Sequence, residues 1–465
     1  MPGSEAMQRQ LESVLARELA GFKALLACDQ LTAGASQETF RVLADTEQGK
    51  QQFALRRSPM SSSNELIPGQ MPLATEARLL QLAHEAGIPV PGLVYVLSPA
   101  DELGQGYLMQ WLEGETLGHR IVGSEALAAV RPRLARQCGE ALARIHAIEV
   151  DAALTQMLPT LSPKALVHES WDSYKALNLP QPMIDFTARW LLQNLPSGAR
   201  QTLVHGDFRN GNLMIDETGI RAVLDWELAQ IGDPVRDLGW LCVNSWRFGQ
   251  AQLPVGGFGV IEELLEGYRS VSGIDIDPAD LTFWLVFGSF WWSIATLSMS
   301  LTWRTGETPS LERPVIGRRS SEGQMDCVNL LIPGTFQRLA DRPLEQGQQL
   351  PMPAELLEGV RKFLKEDVAA NQHGRSAFLA KVAANSLGIA QREFLHGQEL
   401  ARREEERLQK LLGEGDLEQL RWQLVHALRA ELPLDTPGLD EHLRETVAGQ
   451  LAIDQPFYSA LHPAA

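Results

Sequence analysis

The hydrophobic positions change their spacing along the chain and so divide it into a strand-rich part and a longer helical part. Apolar residues at three- and four-residue intervals predict a first helix over residues 5–26. Two alternating runs, residues 39–43 and 52–56, flank the polar turn DTEQGK and predict a hairpin. A helix pattern, LATEARLLQLAHEAG, and two more strand patterns, GLVYVLS and GYLMQWL, follow it. We therefore expect a small sheet with one internal helix up to about residue 113.

From Ser124 onward the spacing is mainly helical, apart from short apolar runs on either side of a polar cluster. One helix pattern contains Pro132, which marks either its start or a kink. A polar, proline-containing stretch then predicts a linker, and the strong helical pattern beyond it predicts a separate all-helical unit. The expected segments are residues 1–113, 114–340, 341–354 and 355–465.

The most apolar segment, Leu281 to Trp303, runs without a charge for about the length of a membrane span. Several Ser and Thr residues interrupt it, and its Trp residues lie through the middle rather than only at the ends. This distribution favours the buried core helix of a soluble protein, and we expect no membrane span.

Composition narrows the range of partners and compartments. The 465 residues carry a net charge of −17, which argues against nucleic acid, because phosphate-binding surfaces need concentrated Lys and Arg. The four cysteines form no CxxC pair, so we expect neither a disulfide framework nor a structural zinc site. The N-terminal residues mix both charges and lack the apolar run that is typical of a signal peptide. Together these features favour the cytoplasm.

Two polar clusters carry the candidate chemistry. LVHGDFRNGNLMI places Asp207 five residues before Asn212, and VLDWE places Asp225 after a short apolar run. Phosphoryl transfer needs one carboxylate that accepts or orients the proton of the attacking hydroxyl. It also needs a second carboxylate and an amide oxygen that hold Mg²⁺ beside the nucleotide phosphates. The alternative is a hydrogen-bonded turn, since Asp, Asn and Gly are common turn residues.

The run HGDxxxxN, the later strand-borne Asp and the motif GDPxxDL resemble the aminoglycoside phosphotransferase-like family of small-molecule kinases, over about residues 10–340. The resemblance implies an α+β, two-lobed protein-kinase-like fold, with a small β-rich N-lobe, a mainly helical C-lobe and ATP bound between them. The helical tail adds an all-α C-terminal domain. The resemblance also implies that Asp207 is the catalytic base and that Asn212 and Asp225 are the magnesium ligands. His205 is then a structural member of the loop.

Asp233 and Asp237, in IGDPVRDLGW, allow two interpretations. Asp233 precedes a proline and Asp237 is placed to cap a helix, which is reason enough for both residues. The family instead uses these positions as structural support for the catalytic loop. His146, on the apolar face of a helix pattern, is interpreted as a core histidine with satisfied hydrogen bonds.

In the small lobe, LTAGASQETFRV occupies the phosphate-loop position of the family. Gly34 is its only glycine, and the backbone N–H groups around Ser36 could form an anion-binding nest or simply belong to a hairpin loop. Gln110 and Leu112 lie at the end of the last strand, where the family's hinge hydrogen-bonds adenine.

The strand FALRR departs from the family pattern, because Arg56 stands where kinases carry a phosphate-contacting Lys. Arg grips phosphate through a planar fork, so the exchange alters the geometry that we expect for the nucleotide. Glu76, on the following helix, is the natural ion-pair partner of Arg56, or else part of a solvated helix face.

The LRR sequence and FGSFWWSIATLSMSLTWRTGE resemble one branch of the family, the kinase domains of certain acyl-CoA dehydrogenase fusions. For that branch the implied activity is ATP-dependent phosphorylation of a hydroxyacyl-CoA, notably at the 4-hydroxyl. AFLAKVAANSLGIAQREF resembles a small helical family of unknown function found beside such kinases. Because CoA carries several phosphates, four basic residues are substrate-binding candidates, with ordinary surface charge as the alternative: Arg57, Arg313, Arg318 and Arg319.

Two other functions stay open. The chain could phosphorylate an aminoglycoside, a sugar or an amino alcohol, of which a cationic substrate would need an acidic cleft. It could also be a nucleotide-binding scaffold without turnover, with the helical tail as its working surface. The mixed charges of ARREEERLQK suit a solvated helix face or a contact with another chain, so an oligomer is open too.

Overall fold

The small lobe is built on a five-stranded antiparallel sheet with the order β1-β2-β3-β5-β4. The computed structural model describes residues 5–33, 37–58, 71–306, 310–339 and 351–461. The elements of this lobe are α1 (Glu5–Glu18), β1 (Phe22–Ala33), β2 (Glu38–Thr46), β3 (Gly49–Ser58), α2 (Leu73–Glu85), β4 (Leu93–Val96) and β5 (Gln105–Gln110). Helix α1 packs against the sheet, and α2 contacts β4 and β5. The predicted small sheet with an internal helix is confirmed.

The first helix is shorter than its apolar spacing predicted. It ends at Glu18 rather than at residue 26, and Gly21, at a φ of +68°, turns the chain into β1. Leu19 and Phe22 still pack on the buried cluster that contains Leu11. The helical spacing therefore continued past the helix because a turn and a strand bury their apolar residues on the same cluster.

The predicted hairpin is present, since β2 and β3 pair antiparallel through a turn between Thr46 and Gly49. Strand β3 also pairs with β5, which places Arg56 opposite Tyr107 in the middle of the sheet. Alternate residues of a strand face opposite sides of a sheet. Arg56 and Arg57 therefore project from different faces, and this decides below which of them reaches the cleft.

The C-lobe is mainly helical and holds two short strand pairs, β6 with β9 and β7 with β8. Its elements are α3 (Gly118–Gly123), α4 (Arg131–His146), α5 (Ala152–Met157), α6 (Pro163–Ala176), α7 (Pro182–Gln193), β6 (Thr202–Val204), β7 (Leu213–Asp216), β8 (Gly219–Val223), β9 (Gln230–Gly232), α8 (Val235–Leu241), α9 (Ile261–Ser272), α10 (Pro278–Arg304), α11 (Glu312–Arg318) and α12 (Ser320–Leu331). Pro132 lies in the first turn of α4, so it marks a helix start. The four cysteines are free and buried.

Helix α10 contains the most apolar segment and crosses the C-lobe, where it packs against α7, α8, α11 and α12. Among the helices of the described residues it is the single one long and apolar enough to span a membrane. In its most apolar window, 61% of the residues are buried inside the protein. This packing agrees with the predicted core helix.

The tail is all-helical, as predicted. Its helices are α13 (Pro353–Lys362), α14 (Ala369–Asn371), α15 (Gly374–Leu412), α16 (Leu417–Arg429) and α17 (Leu439–Asp454). Helix α17 packs on α12 and α16 packs on α7, so Leu424 and Leu451 belong to the same buried cluster as Leu191 and Val328 of the C-lobe. The tail thus shares buried contacts with the C-lobe, which periodicity could not show, because it indicates that a helix buries a face but not what covers it. Most of the predicted linker, residues 341–354, lies outside the described residues, and the division into segments stays a prediction.

Candidate active site

Asp207 lies in the loop that follows β6, and three donors hold its carboxylate. Oδ1 accepts hydrogen bonds from Arg209 Nε at 3.0 Å and from Trp240 Nε1 at 2.7 Å. Oδ2 accepts a hydrogen bond from Asn212 Nδ2 at 2.6 Å. A carboxylate offers about four acceptor sites, so one remains for a further donor such as a substrate hydroxyl.

Asp237 supports the backbone of this loop. It is completely buried, and its oxygens accept the N–H groups of His205 at 2.8 Å and Gly206 at 2.9 Å. Its Oδ2 also lies 3.1 Å from His146 Nε2. Gly206 has a φ of +82°, and a Cβ there would lie 2.1 Å from the carbonyl oxygen of Leu228. The turn into Asp207 therefore requires glycine at this position.

His205 ties the loop to the next one. Its Nδ1 accepts the N–H of Asp207 at 3.2 Å, and its Nε2 lies 3.1 Å from the carbonyl oxygen of Leu224. These partners require a proton on Nε2 and none on Nδ1. Burial lowers the pKa of His205, which agrees with a neutral ring. The predicted structural role fits these contacts.

The pKa values of the two buried aspartates move in opposite directions. Burial raises the pKa of Asp207, although Arg209 and Trp240 oppose the rise. Burial acts on Asp237 in the same sense, but the hydrogen bond from His146 and the nearby donors outweigh it and lower its pKa. A raised pKa suits a group that takes up a proton, whereas a lowered pKa suits a permanent anchor.

Asp225 follows β8 by two residues and has a φ of +63°, a conformation that is rare outside glycine. The preceding N–H, of Leu224, donates to the carbonyl oxygen of Asn212 at 2.9 Å, so the two predicted magnesium ligands lie on adjoining loops. Since Asn212 Nδ2 donates to Asp207, its Oδ1 is the atom left for a cation. An amide and a carboxylate oxygen fit Mg²⁺, which takes its remaining ligands from water and phosphate. The described residues contain no cluster of three His, Cys, Asp or Glu side chains that would hold a metal by themselves.

Arg56 reaches from β3 of the small lobe to the C-lobe. Its Nε lies 3.4 Å from Glu76 Oε2, so the predicted ion pair is present. Its Nη2 lies 3.4 Å from both Asp225 Oδ1 and Glu227 Oε2. The sequence analysis did not single out Glu227, although it stands two residues after Asp225 in the quoted run VLDWE. Three carboxylates thus share one guanidinium at the cleft.

The pKa values of Arg56 and its carboxylate neighbours are shifted by burial and by the excess of carboxylates over cations. Burial would lower the pKa of Arg56, but its acidic neighbours raise it. Burial raises the pKa of Glu76 to about 7, even though Arg56 opposes the rise. Burial and then Asp225 raise the pKa of Glu227. The carboxylates are crowded, and a cation bound there would relieve their repulsion.

The hinge candidates differ in their backbone contacts. The N–H of Gln110 donates to the carbonyl oxygen of Gly92 at 2.8 Å, and the N–H of Trp111 donates to that of Gln52 at 3.2 Å. Leu112 N–H makes no hydrogen bond within the described part of the chain. An adenine contact through N–H is therefore a prediction for Leu112 rather than for Gln110. Gly34 and Ser36 lie outside the described residues.

Asp237 does not act as the helix cap that the sequence allowed, and Asp233 does more than precede a proline. Asp237 lies inside the first turn of α8, and its carboxylate points to the catalytic loop. Asp233 accepts the N–H of Val235 at 3.1 Å and Trp284 Nε1 at 3.1 Å, which joins α8 to α10. Both residues have the contacts of structural supports. His146, which also contacts Tyr268 at 3.2 Å, is a core histidine as predicted.

Three of the four basic substrate candidates lie away from the cleft. Arg57 contacts Glu38 at 2.9 Å and the carbonyl oxygen of Leu103 at 3.1 Å, on the other face of the sheet from Arg56. Arg318 pairs with Asp454 at 2.5 Å and with Glu393, and so binds the tail to the C-lobe. Arg313 lies half-buried on α11, which packs against α10 and α15. The fourth candidate, Arg319, is described in the next paragraph.

Four tryptophans from α8, α10 and the loop between them form a group next to Asp207. This tryptophan cluster consists of Trp240, Trp246, Trp291 and Trp292, with neighbouring ring centroids 4.9–5.3 Å apart. The guanidinium of Arg209 lies 4.4 Å from the ring centroid of Trp246, and that of Arg319 lies 5.6 Å from Trp292. Arg319 also pairs with Glu322. Of the four basic candidates, Arg319 is the one that contacts a group adjoining the catalytic loop.

Comparison with known proteins defines the class. The phosphotransferase enzyme family (APH) matches residues 28–274, more than half of the chain, and the chain belongs to this family. It is an ATP-dependent phosphotransferase of the small-molecule kinase type, as the motifs predicted. Residues 370–458 match a domain of unknown function (DUF6285), which agrees with the predicted helical family of the tail.

The chain is also similar to relatives whose names correspond to the predicted branch. It is 26% identical over 430 residues to acyl-CoA dehydrogenase family member 11 of Gallus gallus, covering 82% of this chain and 52% of that protein. It is 29% identical over 252 residues to family member 10 of Mus musculus, covering 51% of this chain and 22% of that protein. The chain spans about half the length, or less, of these curated relatives.

A solved structure supports the fold. A candidate aminoglycoside phosphotransferase from Ralstonia eutropha superimposes with a TM-score of 0.54 at 22% sequence identity. The match covers 69% of this chain and 97% of the other. At this identity the likeness shows the fold, which is the predicted two-lobed kinase-like one.

Proposed function

We propose that this protein transfers the γ-phosphoryl group of ATP to a hydroxyl of a hydroxyacyl-CoA, notably the 4-hydroxyl, during the catabolism of hydroxy or fatty acids. The observation that carries the proposal is the position of Asp207. Its carboxylate accepts hydrogen bonds from Arg209, Trp240 and Asn212, which leaves one acceptor site. Of these donors, Trp240 belongs to the tryptophan cluster. The proposed base thus adjoins an apolar, aromatic wall.

In the proposed mechanism Asp207 accepts the hydrogen bond of the substrate hydroxyl and takes its proton as the oxygen attacks the γ-phosphorus. A new O–P bond forms, the bond from the γ-phosphorus to the bridging oxygen breaks, and ADP leaves with the bond electrons. Asn212 and Asp225 would hold Mg²⁺, which neutralises charge on the phosphates when it is bound. Arg56 is placed to contact phosphate oxygens through its planar fork.

Two observations support an acyl-CoA over a polycationic antibiotic. Trp291 and Trp292 of the tryptophan cluster are half-buried and offer apolar surface. The guanidinium groups of Arg209 and Arg319 lie over rings of this cluster, which suits an acyl chain with phosphate groups nearby. The curated relatives named above are acyl-CoA dehydrogenase family members. The ordered contacts of Asp207 argue against a scaffold without turnover, since such a scaffold has no need of a positioned base.

Mass spectrometry of a substrate panel tests the proposal. The panel holds 3- and 4-hydroxyacyl-CoAs, free hydroxy acids, an aminoglycoside and an amino alcohol, each incubated with Mg²⁺ and ATP. We expect a gain of one phosphoryl group on a hydroxyacyl-CoA, and none with the Asp207→Asn variant. A mass gain on the aminoglycoside instead would contradict the proposed substrate. A mass gain that persists in the Asp207→Asn variant would contradict the assignment of Asp207 as the base.

Substitution in the tryptophan cluster tests the acyl contact. Trp292→Leu is expected to raise the KM for the hydroxyacyl-CoA about tenfold, because it removes apolar contact surface, while the KM for ATP stays unchanged. Trp303→Leu is the matched control, since Trp303 lies on the same helix with its side chain exposed. Equal effects of the two substitutions would argue against acyl binding at the cluster.

A further inference from the structure

A cavity lies between the tail and the C-lobe. It has a volume of about 380 Å³, within the range of small-molecule sites. Helices α15, α16 and α17 form most of its wall, and Met183 and Gln324 of the C-lobe close it. None of its lining residues belongs to the candidate active site.

His442, on α17, is the residue that marks this cavity as built for a ligand. It lines the cavity and is only 1% exposed, yet neither ring nitrogen has a hydrogen-bond partner among the described residues. Burial, and then Arg407 and Arg421, lower the pKa of His442 to about 3, so the ring is neutral. A neutral imidazole has one donor and one acceptor, and leaving both unpaired in the interior is costly.

Arg407, on α15, adds a cationic donor to the same cavity. Its Nη2 donates to Thr446 Oγ1 at 3.1 Å, whereas its buried Nε finds no hydrogen-bond partner in the part of the chain that the structure describes. Arg421 is already engaged, since it forms two hydrogen bonds with Glu404 at 2.5 and 2.7 Å. Arg407 Nε and the His442 ring are therefore the polar groups left for a ligand.

The carboxylates that line the cavity are also engaged. Glu404 pairs with Arg421. Glu393 pairs with Arg318, and Glu445 accepts the backbone N–H of Gln337 at 3.0 Å. A cationic ligand would have to displace one of these partners, whereas an anion would meet an unpaired donor of Arg407. The apolar part of the wall includes Leu400, Leu443, Val447 and Ile453.

We propose that this cavity is a second small-molecule site, which binds a hydroxycarboxylate with an apolar body. The carboxylate accepts a hydrogen bond from Arg407 Nε, and the ligand hydroxyl donates to the unprotonated ring nitrogen of His442. The apolar body packs against the leucine and valine side chains. Such a ligand contacts both the tail and the C-lobe and holds them together. This site does not depend on the reaction proposed for the cleft.

Calorimetric titration of the full chain tests the proposal with 2- and 3-hydroxyhexanoate, hexanoate and 1,3-hexanediol as probes. The Asp207→Asn variant serves as the parent, so that turnover in the cleft plays no part. We expect one of the hydroxyhexanoates to bind, hexanoate to bind about tenfold more weakly because a buried acceptor stays unpaired, and the diol not to bind. Equal binding of the diol, or no binding of either hydroxyhexanoate at millimolar concentration, would overturn the proposal.

Variants locate the binding. Arg407→Met and His442→Phe are expected to abolish binding of the hydroxyhexanoate, whereas Arg402→Met, an exposed change on the same helix, leaves it unchanged. His442→Phe removes two unpaired polar atoms, so we expect its melting temperature without ligand to equal or exceed that of the parent. Retained binding in Arg407→Met would contradict the site. So would a marked fall in melting temperature for His442→Phe, which would mean that ordered water satisfies the ring.

Discussion

The two sides of the cleft are held in different ways. On the C-lobe side, the hydrogen bonds of Asp207 and Asp237 run from 2.6 to 3.1 Å and come from buried or half-buried donors. On the small-lobe side, the charged contacts of Arg56 with Glu76, Asp225 and Glu227 are all 3.4 Å long. The C-lobe side is held by short hydrogen bonds within the protein, whereas the small-lobe side consists of charged groups in longer contact.

This difference indicates that the two sides of the cleft have different functions. Short hydrogen bonds from buried donors fix the proposed base, Asp207, before substrate arrives, as preorganised catalysis requires. The long contacts between the Arg56 guanidinium and its three carboxylates cost little to rearrange when phosphate and a cation enter. Changes on the C-lobe side should therefore affect turnover or folding, and changes on the small-lobe side should affect nucleotide affinity.

The largest effect is expected from Asp207→Asn. Loss of the proton acceptor should lower kcat about 10²–10⁴-fold while the melting temperature and nucleotide binding change little. Steady-state kinetics and thermal unfolding measure the two quantities, and Asp172→Asn, an exposed aspartate, is the control. Burial raises the pKa of Asp207, so this carboxylate should become protonated at a higher pH than an ordinary Asp side chain. As the pH is lowered, kcat should therefore begin to fall at that higher pH. Retained turnover would remove Asp207 as the base.

Asp237→Asn should act on folding first. It removes the charge that three buried donors share, and we expect a loss of about 3–5 kcal/mol in the free energy of unfolding. Denaturant unfolding measures this loss, and Asp216→Asn, at a half-exposed turn, should cost much less.

The same variant has a pH signature. The folded pKa of Asp237 is lowered, so its contribution to stability is present above the unfolded value of about 3.9 and is lost as pH falls through the folded value. The difference between wild type and Asp237→Asn should therefore shrink in acid. A constant difference across that range would show that the charge is not the stabilising feature.

Arg56→Met should raise the KM for ATP about tenfold to a hundredfold, which corresponds to the loss of about 1.5–3 kcal/mol from a charged hydrogen bond. The value of kcat with saturating ATP should change less than KM. Arg57→Met supplies the matched control on the same strand, because Arg57 faces away from the cleft. If both variants raised the KM equally, the effect would come from the strand rather than from the guanidinium at the cleft.

The smallest effect is expected from Glu227→Gln. Its side chain is 44% exposed and makes one 3.4 Å contact, so the KM for ATP should rise less than about fivefold. Since the pKa of Glu227 is raised, the wild-type group becomes neutral at a higher pH than an ordinary Glu, and the difference between the two proteins should vanish once it does. Kinetics at neutral and mildly acidic pH measure it. A larger change than for Arg56→Met would reverse the comparison between the two residues.

The sequence by itself determined the class of protein and predicted which groups react. HGDxxxxN, followed by a strand-borne Asp, was sufficient because phosphoryl transfer needs these side chains at short, nearly fixed separations along one segment. Local spacing also determined the hairpin, the core helix α10 and the helices of the tail. The Arg56–Glu76 pair was predictable for the same reason, since the family pattern supplies both positions.

Tertiary structure alone decided which residues share the cleft with these groups. Trp240 donates to Asp207 from 33 positions away, and Arg56 meets Glu227 across 171 positions. The choice between Arg56 and Arg57 depended on which face of β3 turns toward the C-lobe, and Arg318 was committed to the tail by the docking of α17. Local periodicity records that a side chain is buried or exposed. It does not record which distant element covers that side chain, because burial free energy depends on area rather than on the identity of the partner.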